Sequence, residues 1–297
     1  MPTVQGLDIS ACQGPNVNFN AIKMAGYDFV ILRVNEWNNV KKDVVKDSCF
    51  ETFYARAKAA GLKVGAYYFT YANTIDYVAY EAKRCIEWLK GKQFEYPIWF
   101  DLERENQFAQ GMSFCDNAVN TFCNALTKAG YYTGVYCSTF WYTKCVSKSV
   151  REKWPCWIAE WGSKCNYKSA YGMWQNGTAY VNNSGTGQID HDYSYVNYES
   201  IIKSKGLNGF QKPSTNIKTL DTGSCYKLGE TTVGALAVKE LLRLAYVKKL
   251  ITVQPDDTKK YDEKSMTAVK QLQKKWGYKE TGRAGANFVK KLYEALK

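Results

Sequence analysis

Two carboxylates, Asp101 and Glu103, follow a short apolar run, and their spacing is suited to acid–base chemistry. The run Tyr96–Phe100 is aromatic-rich and contains a proline near its start, which predicts a buried strand. Residues two apart on a strand point to the same face, about 6–7 Å apart at the backbone. Because like charges at that distance disfavour joint ionisation, one acid should keep its proton near neutral pH. A protonated acid beside an ionised one can cleave a glycosidic bond, although two solvated strand-end acids would give the same pattern.

Other residue types offer little alternative chemistry. The single histidine, His191, excludes multi-histidine zinc sites in their usual form, and any Ser–His or Cys–His pair would have to use it. The ten cysteines include no C-x-x-C pair, which favours small buried thiols over a zinc site. No glycine loop with nucleotide-binding spacing follows a strand pattern. We therefore expect no metal and no cofactor, and we expect carboxylates to carry the chemistry.

Residues 1–205 show strand patterns that alternate with helical patterns. Eight apolar runs predict strands, at Val4–Ile9, Phe29–Val34, Val64–Phe69, Pro97–Leu102, Thr133–Cys137, Cys156–Trp161, Tyr171–Trp174 and Gly187–Asp190. Helices are predicted at Phe19–Ala25, Val44–Ala60, Ile75–Lys90 and Phe114–Ala129. This alternation predicts parallel strands with right-handed crossovers, and eight such strands suggest a closed barrel. The last three strands lack convincing helices between them, so the barrel should be incomplete on that side.

The predicted barrel would bring several acidic side chains to one mouth. Asp8 closes the first predicted strand, and Asp101 and Glu103 follow the fourth. Asp190 and Asp192 stand at the end of the eighth. In an α/β barrel the carboxyl ends of the strands share one face, where catalytic groups gather. We therefore predict a common cleft in which Glu103, farthest along its strand, is the general acid.

Aromatic residues are abundant, at 15% of the chain. An aromatic ring has a flat apolar face that can stack on a sugar ring, so Tyr67, Tyr136 and Trp174 are candidate sugar platforms. Asp192 is a further candidate for contact with the substrate. Packing inside the barrel is the alternative interpretation of the aromatic residues.

The composition changes after Ile202. The segment from Lys203 to Lys218 has few apolar residues and contains Gly206, Gly209, Pro213, Ser214 and Thr215, which predicts a linker at 206–218. Residues 219–297 contain three apolar stripes with helical spacing, which predict a small all-α domain. Residues 213–297 hold 17 Lys and Arg against 9 Asp and Glu, which is +8 of the total +12. Such a charge suits a polyanion, whether nucleic acid, an anionic membrane or wall teichoic acid, and plain solubility is the simpler explanation.

A set of motifs, in order along the chain, resembles the family 25 glycoside hydrolases, which are muramidases of phages and bacteria. The motifs are Gly6–Ser10, Val64–Phe69, Pro97–Glu103, Gly134–Ser138, Trp174–Gln175 and Ile189–Asp192. The resemblance covers about residues 1–205 and implies a flattened, incomplete TIM-like (βα)5β3 barrel. It implies hydrolysis of the β-1,4 bond between N-acetylmuramic acid and N-acetylglucosamine, with Asp8 and Asp190 in the same catalytic cleft. It also implies that Asp101 orients the 2-acetamido group or stabilises positive charge at the anomeric carbon.

This chain departs from the usual family pattern at a few positions. Asn35, Glu36 and Trp37 follow the second strand, where a small residue and a glycine are usual. Asp192 stands where Asn is common, and Tyr68 where His is common. We expect these departures to change substrate subsites without abolishing activity.

The C-terminal segment, about residues 228–297, resembles the helical peptidoglycan-binding modules of wall hydrolases, with the likeness carried by residues 261–282. The domain prediction is therefore a catalytic muramidase barrel at 1–205, a linker at 206–218 and a helical cell-wall-binding module at 219–297. The expected partners are bacterial peptidoglycan and, as a second candidate, wall teichoic acid.

We expect no membrane span, because no apolar stretch approaches about 20 residues, and no signal peptide, because residues 1–6 lack a basic and an apolar region. The leading hypothesis is a phage-type endolysin that is made in the cytoplasm and acts on the cell wall after release. One alternative is a chitinase-like hydrolase with a D-x-E pair, and another is a non-catalytic wall-binding protein on the same barrel. A nucleic-acid binder is suggested by charge alone, without a recognition motif, and we expect no nucleic-acid partner.

Overall fold

The structure is a computed structural model that describes residues 3–212, 219–221 and 223–297. The chain divides into two compact units, residues 1–213 and 214–297, called here the barrel unit and the helical unit. Among the described residues, no helix is long and apolar enough to cross a bilayer.

Eight strands of the barrel unit form a closed barrel. The strands of the described chain are β1 (Val4–Ile9), β2 (Phe29–Arg33), β3 (Asn35–Asn38), β4 (Asp43–Lys46), β5 (Lys63–Phe69), β6 (Ile98–Asp101), β7 (Thr133–Ser138), β8 (Cys156–Ala159), β9 (Met173–Tyr180), β10 (Gln188–Ser194), β11 (Cys225–Tyr226) and β12 (Ala284–Gly285). The barrel order is β1-β10-β9-β8-β7-β6-β5-β2, and β10 runs antiparallel to both of its neighbours while the other pairs are parallel. All eight predicted barrel strands are present, and the predicted α/β, TIM-like fold is confirmed.

Helices cover the outside of the barrel between its early strands. They are α1 (Phe19–Met24), α2 (Phe50–Ala59), α3 (Ile75–Leu89), α4 (Glu105–Phe108), α5 (Met112–Lys128), α6 (Thr139–Cys145), α7 (Lys148–Lys153) and α8 (Tyr198–Lys205), with a 3-10 turn at Ala11–Gln13. Gly26, Gly61 and Gly130 follow α1, α2 and α5 with φ of 94°, 74° and 88°. A glycine adopts this left-handed conformation without a Cβ clash, so it ends the helix and turns the chain into the next strand.

The segment that connects β2 to α2 differs from the sequence prediction. A helix was predicted from Val44, whereas β4 pairs with β3 in a hairpin and α2 begins only at Phe50. Asp47 fixes the change of direction, because its carboxylate accepts hydrogen bonds from Arg33 Nε at 2.9 Å and from the Cys49 backbone at 2.9 Å. These contacts to the end of β2 are not visible in the local apolar pattern.

Aromatic rings fill the interior of the barrel below its mouth. Phe29, Trp99 and Trp157 are each at most 1% exposed and belong to one interior cluster. Glycines make room for them, since a Cβ on Gly6 would lie 2.3 Å from the Phe29 ring, and one on Gly134 would lie 2.6 Å from Trp99. The floor beneath the mouth is therefore apolar and closed.

We expect Gly6→Ala to lower the free energy of unfolding of the barrel unit by about 1–3 kcal/mol, because the added methyl must displace the Phe29 ring. Urea denaturation followed by tryptophan fluorescence would measure this change. Gly187→Ala is the matched control, since a Cβ there meets nothing within 4 Å. Equal stability of the two variants would contradict the tight fit of Gly6 against Phe29.

The segment 206–212 packs on the barrel, although the sequence predicts a linker from 206. Asn208 is completely buried. Its side-chain amide donates to the backbone oxygens of Phe94 and Tyr96 at 3.1 and 2.8 Å, and its Oδ1 accepts from the Tyr132 backbone at 2.7 Å. Three hydrogen bonds from one buried side chain hold this segment on the barrel unit. Residues 213–218 of the predicted linker lie outside the described residues.

The helical unit has its own core. Its helices are α9 (Val233–Val247), α10 (Glu263–Lys275) and α11 (Ala286–Leu296), and β11 pairs with β12. The core includes Leu242, Leu272, Phe288 and Leu292, which are fully buried. Lys239 is also buried on α9, where its ammonium pairs with Asp256 and donates to the Lys260 backbone oxygen at 2.8 Å.

Candidate active site

The acidic residues converge at one mouth of the barrel. Asp101 is the last residue of β6, and Asp8 lies one residue before the end of β1. Asp190 pairs directly with Asp8 between β10 and β1. Because β10 is antiparallel, the beginning of this strand reaches the mouth, whereas the sequence analysis placed Asp190 at a strand end. These side chains therefore meet at the mouth as predicted, but Asp190 comes from the beginning of an antiparallel strand and not from the end of a parallel one.

Burial and neighbouring carboxylates set the ionisation of the two acids at the end of β6. Asp101 is only 4% exposed, and its Oδ1 has no hydrogen-bond donor among the described residues. Burial raises the pKa of Asp101 well above its ordinary value, with further contributions from the charges of Glu103 and Asp8. Glu103 is exposed at the mouth, where partial desolvation and then the charge of Asp190 raise its pKa. Glu103 thus combines access to solvent with an increased tendency to hold a proton.

Gln175 on β9 holds Asp8 in place. Its Nε2 donates to Asp8 Oδ2 at 2.8 Å, while its Oε1 accepts from Tyr136 Oη at 3.0 Å and Trp161 Nε1 at 3.1 Å. Two donors on the oxygen fix the orientation of the amide, so its nitrogen must face Asp8. Gln175 belongs to the Trp174–Gln175 motif of the sequence, but no role in the site was predicted for it. Its position two residues after Met173, whose side chain lies in the barrel interior, is the signal that could have identified it.

Asp8 and Asp192 form a contact beneath the mouth. Burial and then the charge of Asp190 raise the pKa of Asp8, while hydrogen bonds with Gln175 and Asp192 lower it in part. Asp192 was predicted to contact the substrate, whereas its side chain is completely buried and accepts a hydrogen bond from Trp157 Nε1 at 2.8 Å. A fully buried carboxyl cannot touch a glycan in this conformation.

The three candidate sugar platforms occupy different environments. Tyr67 is half-buried beside the acids, and after burial the charge of Asp8 contributes most to its raised pKa. Tyr136 is 9% exposed, and its hydroxyl donates a hydrogen bond to the side-chain oxygen of Gln175. Trp174 is 7% exposed and lies beside Tyr193, with ring centroids 5.8 Å apart.

The direction of Trp174 argues against its role as a platform. Neighbouring residues on a strand face opposite sides, and Gln175 faces Asp8. Trp174 therefore points away from the carboxylates, and its Nε1 donates to the Glu160 backbone oxygen at 2.7 Å. Trp161 is the better-placed ring, because it is 63% exposed and bonded to Gln175. The sequence analysis assigned Trp161 to the end of a strand, whereas it lies beyond β8.

A basic residue that the sequence analysis did not single out lies next to the acids. Arg33, the last residue of β2, is paired with Asp47 at 2.9 Å and with Glu36 at 3.7 Å. Burial and the neighbouring carboxylates raise the pKa of Asp101, and the positive charge of Arg33 offsets part of this rise. Asn35, Glu36 and Trp37, where the chain departs from the usual family pattern, lie in β3, and the ring centroids of Trp37 and Tyr71 are 5.4 Å apart.

Within the described part of the chain, the hydrogen-bond partners of His191 are amide side chains and not a nucleophile. Its Nδ1 lies 2.6 Å from Asn176 Oδ1 and its Nε2 lies 3.1 Å from Gln5 Oε1, and the ring packs on Tyr193. Burial lowers the pKa of His191. Across the described ranges, no group of three or more His, Cys, Asp or Glu side chains is arranged to hold a metal ion.

Comparison with known proteins identifies relatives of the barrel unit. The autolytic lysozyme of Clostridium acetobutylicum is 30% identical over 190 residues, which are 64% of this chain and 55% of that protein. Lysozyme M1 of Streptomyces globisporus is 29% identical over 169 residues, 54% of this chain and 55% of that protein. The chain thus spans about half the length of these curated relatives.

Solved structures share the fold. The CTP1L endolysin is 25% identical, with a TM-score of 0.58, over 69% of this chain and 70% of that one. A family 25 lysozyme from Aspergillus fumigatus is 25% identical, with a TM-score of 0.53, over 68% of this chain and 98% of that one. Residues 7–185, more than half of the sequence, match the family model described as Glycosyl hydrolases family 25. The chain therefore belongs to family 25 of the glycosyl hydrolases.

Proposed function

We propose that the barrel unit is a muramidase that hydrolyses the β-1,4 bond between N-acetylmuramic acid and N-acetylglucosamine in bacterial peptidoglycan. The observation that carries this proposal is the pair at the end of β6, an exposed Glu103 with a raised pKa beside a buried Asp101. Family membership and the relatives named lysozyme and endolysin support the same substrate class.

In this mechanism Glu103 is the general acid. Its proton passes to the glycosidic oxygen as the bond to the anomeric carbon breaks, which releases the leaving sugar as an alcohol. Glu103 then accepts a proton from the water that adds to the anomeric carbon. The exposed position of Glu103 gives the glycan access, and the raised pKa keeps the acid form populated to a higher pH.

Asp101 supports the reacting sugar. Its Oδ1 is buried and lacks a donor among the described residues, so in this conformation Asp101 acts through its charge on the positive charge that develops at the anomeric carbon. It accepts the N–H of the 2-acetamido group only once glycan binding exposes this oxygen. Asp8 and Asp190 add negative potential on the other side of the mouth, where their charges act on Asp101 and Glu103. The carboxylates thus favour an oxocarbenium-like transition state.

Mass spectrometry of digested peptidoglycan tests the proposal directly. After reductive labelling, a new reducing end on N-acetylmuramic acid is the expected result. A new reducing end on N-acetylglucosamine, or cleavage of chitin oligomers in preference to peptidoglycan, would instead favour the chitinase-like alternative. Absence of fragments from a folded protein would favour the non-catalytic wall-binding alternative.

We further propose that the helical unit holds the enzyme on the cell wall, with peptidoglycan or wall teichoic acid as its ligand. Its separate core and its excess of basic residues, 17 Lys and Arg against 9 Asp and Glu in residues 213–297, support this role. A basic surface attracts an anionic wall over a distance that shortens as salt is added. The chemistry belongs to the barrel unit alone.

Deleting residues 213–297 should leave cleavage of soluble glycan chains nearly intact and lower the lysis of whole cells. The loss should be larger at low ionic strength if charge dominates binding, and independent of salt if a specific pocket does. Turbidity clearing by the full chain and by the 1–212 fragment, at two salt concentrations, measures this. Equal lysis by both proteins in both conditions would rule out the targeting role.

A further inference from the structure

Asp8 and Asp192 are two buried carboxyl groups on the paired strands β1 and β10, where Asp192 lies opposite Gly6, two residues before Asp8. Each influences the ionisation of the other through charge and a shared hydrogen bond. Asp192 Oδ1 accepts from Trp157 Nε1 at 2.8 Å, whereas its buried Oδ2 has no donor among the described residues. Two ionised carboxylates would repel each other, and neither could donate. A hydrogen bond between them requires a proton on one of the two.

The distribution of donors shows which oxygen carries that proton. Asp8 receives a hydrogen bond from Gln175 Nε2 at 2.8 Å, which favours its ionised form. The donor-free Oδ2 makes Asp192 the partner that can hold the proton and donate it. We propose that Asp192 is a positioning residue that stays protonated and donates a hydrogen bond to Asp8, so that Asp8 is held between two donors, Asp192 and Gln175.

The surroundings of Asp192 disfavour its ionised form. The pKa of Asp192 is raised well above its ordinary value, mainly because the carboxyl is buried and secondly because of the charge of Asp8. The titratable groups that face it from its own strand and from neighbouring parts of the barrel are Asp8, Asp190, Tyr96 and Tyr136. Each of these is neutral or negative, so none compensates an Asp192 carboxylate, and among the described residues the Trp157 N–H is the donor that does so.

The proton has a consequence for catalysis, which rests on the proposed muramidase function. The charge of Asp8 acts on Asp101, so the position of Asp8 sets part of the field around the reacting sugar. Asp192 cannot reach the sugar, and it acts only through Asp8. A misplaced Asp8 should slow the chemical step more than it weakens substrate binding.

Two substitutions of Asp192 distinguish the effect of its hydrogen-bonding groups from the effect of its size. Asp192→Asn keeps the size, can accept from Trp157 and can donate an amide N–H to Asp8, but cannot ionise. Asp192→Leu keeps about the same volume and removes both functions. We expect peptidoglycan cleavage by Asp192→Asn within about threefold of the unmodified chain, and a loss of at least about tenfold in kcat for Asp192→Leu, with a smaller change in KM.

A second measurement reports the proton itself and does not require enzyme activity. An acid whose pKa is raised by folding retains a proton that the unfolded chain releases above about pH 4, so stability falls as pH rises toward the raised pKa. Between pH 5 and 8, the unfolding constant of the unmodified chain should rise up to about tenfold more per pH unit than that of Asp192→Asn. Tryptophan fluorescence in urea suits this test, because eight of the nine tryptophans lie in residues 1–212.

Asp76→Asn is the matched control, because it makes the same substitution at an exposed acid in the first turn of α3, and the Asp192→Asn slope is compared with it as well as with the unmodified chain. An Asp192→Asn slope equal to that of the unmodified chain would overturn the proposal, as would an Asp192→Leu variant as active as Asp192→Asn. If Asp192→Leu does not fold, the Asp192→Asn slope decides alone. If the unmodified chain cleaves no peptidoglycan, the proposed function fails while the slope still tests the proton.

Discussion

Replacing Glu103 with glutamine is expected to lower the rate of peptidoglycan cleavage by about 10²–10⁴-fold or more. Glutamine keeps the size and polarity of the side chain but has no acidic proton to give to the leaving oxygen. Glu103 is the exposed acid at the mouth, and desolvation and the charge of Asp190 raise its pKa, so it has both access and a proton. Release of reducing ends from purified peptidoglycan measures the rate, and thermal unfolding checks that the variant is folded.

Glu105→Gln is the matched control for this experiment. Glu105 is exposed two residues farther along, in the first turn of α4, and should tolerate the same substitution without loss of activity. A folded Glu103→Gln protein that clears cell walls at nearly the normal rate would remove Glu103 from the mechanism. The acid would then have to be one of the other carboxylates, of which Asp190 is the half-buried one at the mouth.

Most of the barrel could be predicted because its parallel strands up to β8 are short, mainly apolar runs, and the glycines after α1, α2 and α5 fixed the helix ends. The more polar strands β9 and β10 extend well beyond the runs predicted for them. The β3–β4 hairpin could not be predicted. Val44 and Val45 fit a helical stripe as well as a strand, and only their pairing with Trp37 and Glu36 in the hairpin distinguishes the two. The Asp47–Arg33 pair that stabilises this turn is a longer-range contact, which the local pattern does not contain.

The orientation of single residues was harder to predict than the position of strands. Trp174 and Gln175 are neighbours, and only the register of β9 shows that Gln175 faces Asp8 while Trp174 faces away. Asp192 lies next to a register shift between His191 and Asp192, which no sequence pattern indicates. Its burial beneath Asp8 follows from that irregularity and from the antiparallel direction of β10.

Replacing Asp101 with asparagine should also be severe, with an expected loss of about 10²–10³-fold in kcat. Asparagine has nearly the same shape, but it removes a negative charge from a site where Asp101 is 4% exposed and little water can compensate. The amide also presents an N–H₂ group where the carboxylate oxygen Oδ1 is free of donors among the described residues. The substrate would thus lose both an acceptor and an electrostatic partner.

An activated substrate separates the role of Asp101 from that of Glu103. A nitrophenyl glycoside has a leaving group that departs without protonation, so Glu103→Gln should recover most of its lost rate on this substrate. Asp101→Asn should not recover, because the developing charge and the acetamido group still need the carboxylate. If Asp101→Asn instead recovers as fully as Glu103→Gln, Asp101 serves only the protonation of the leaving oxygen and does not act on the sugar. Nitrophenol release by the two variants, compared at one pH, distinguishes these roles.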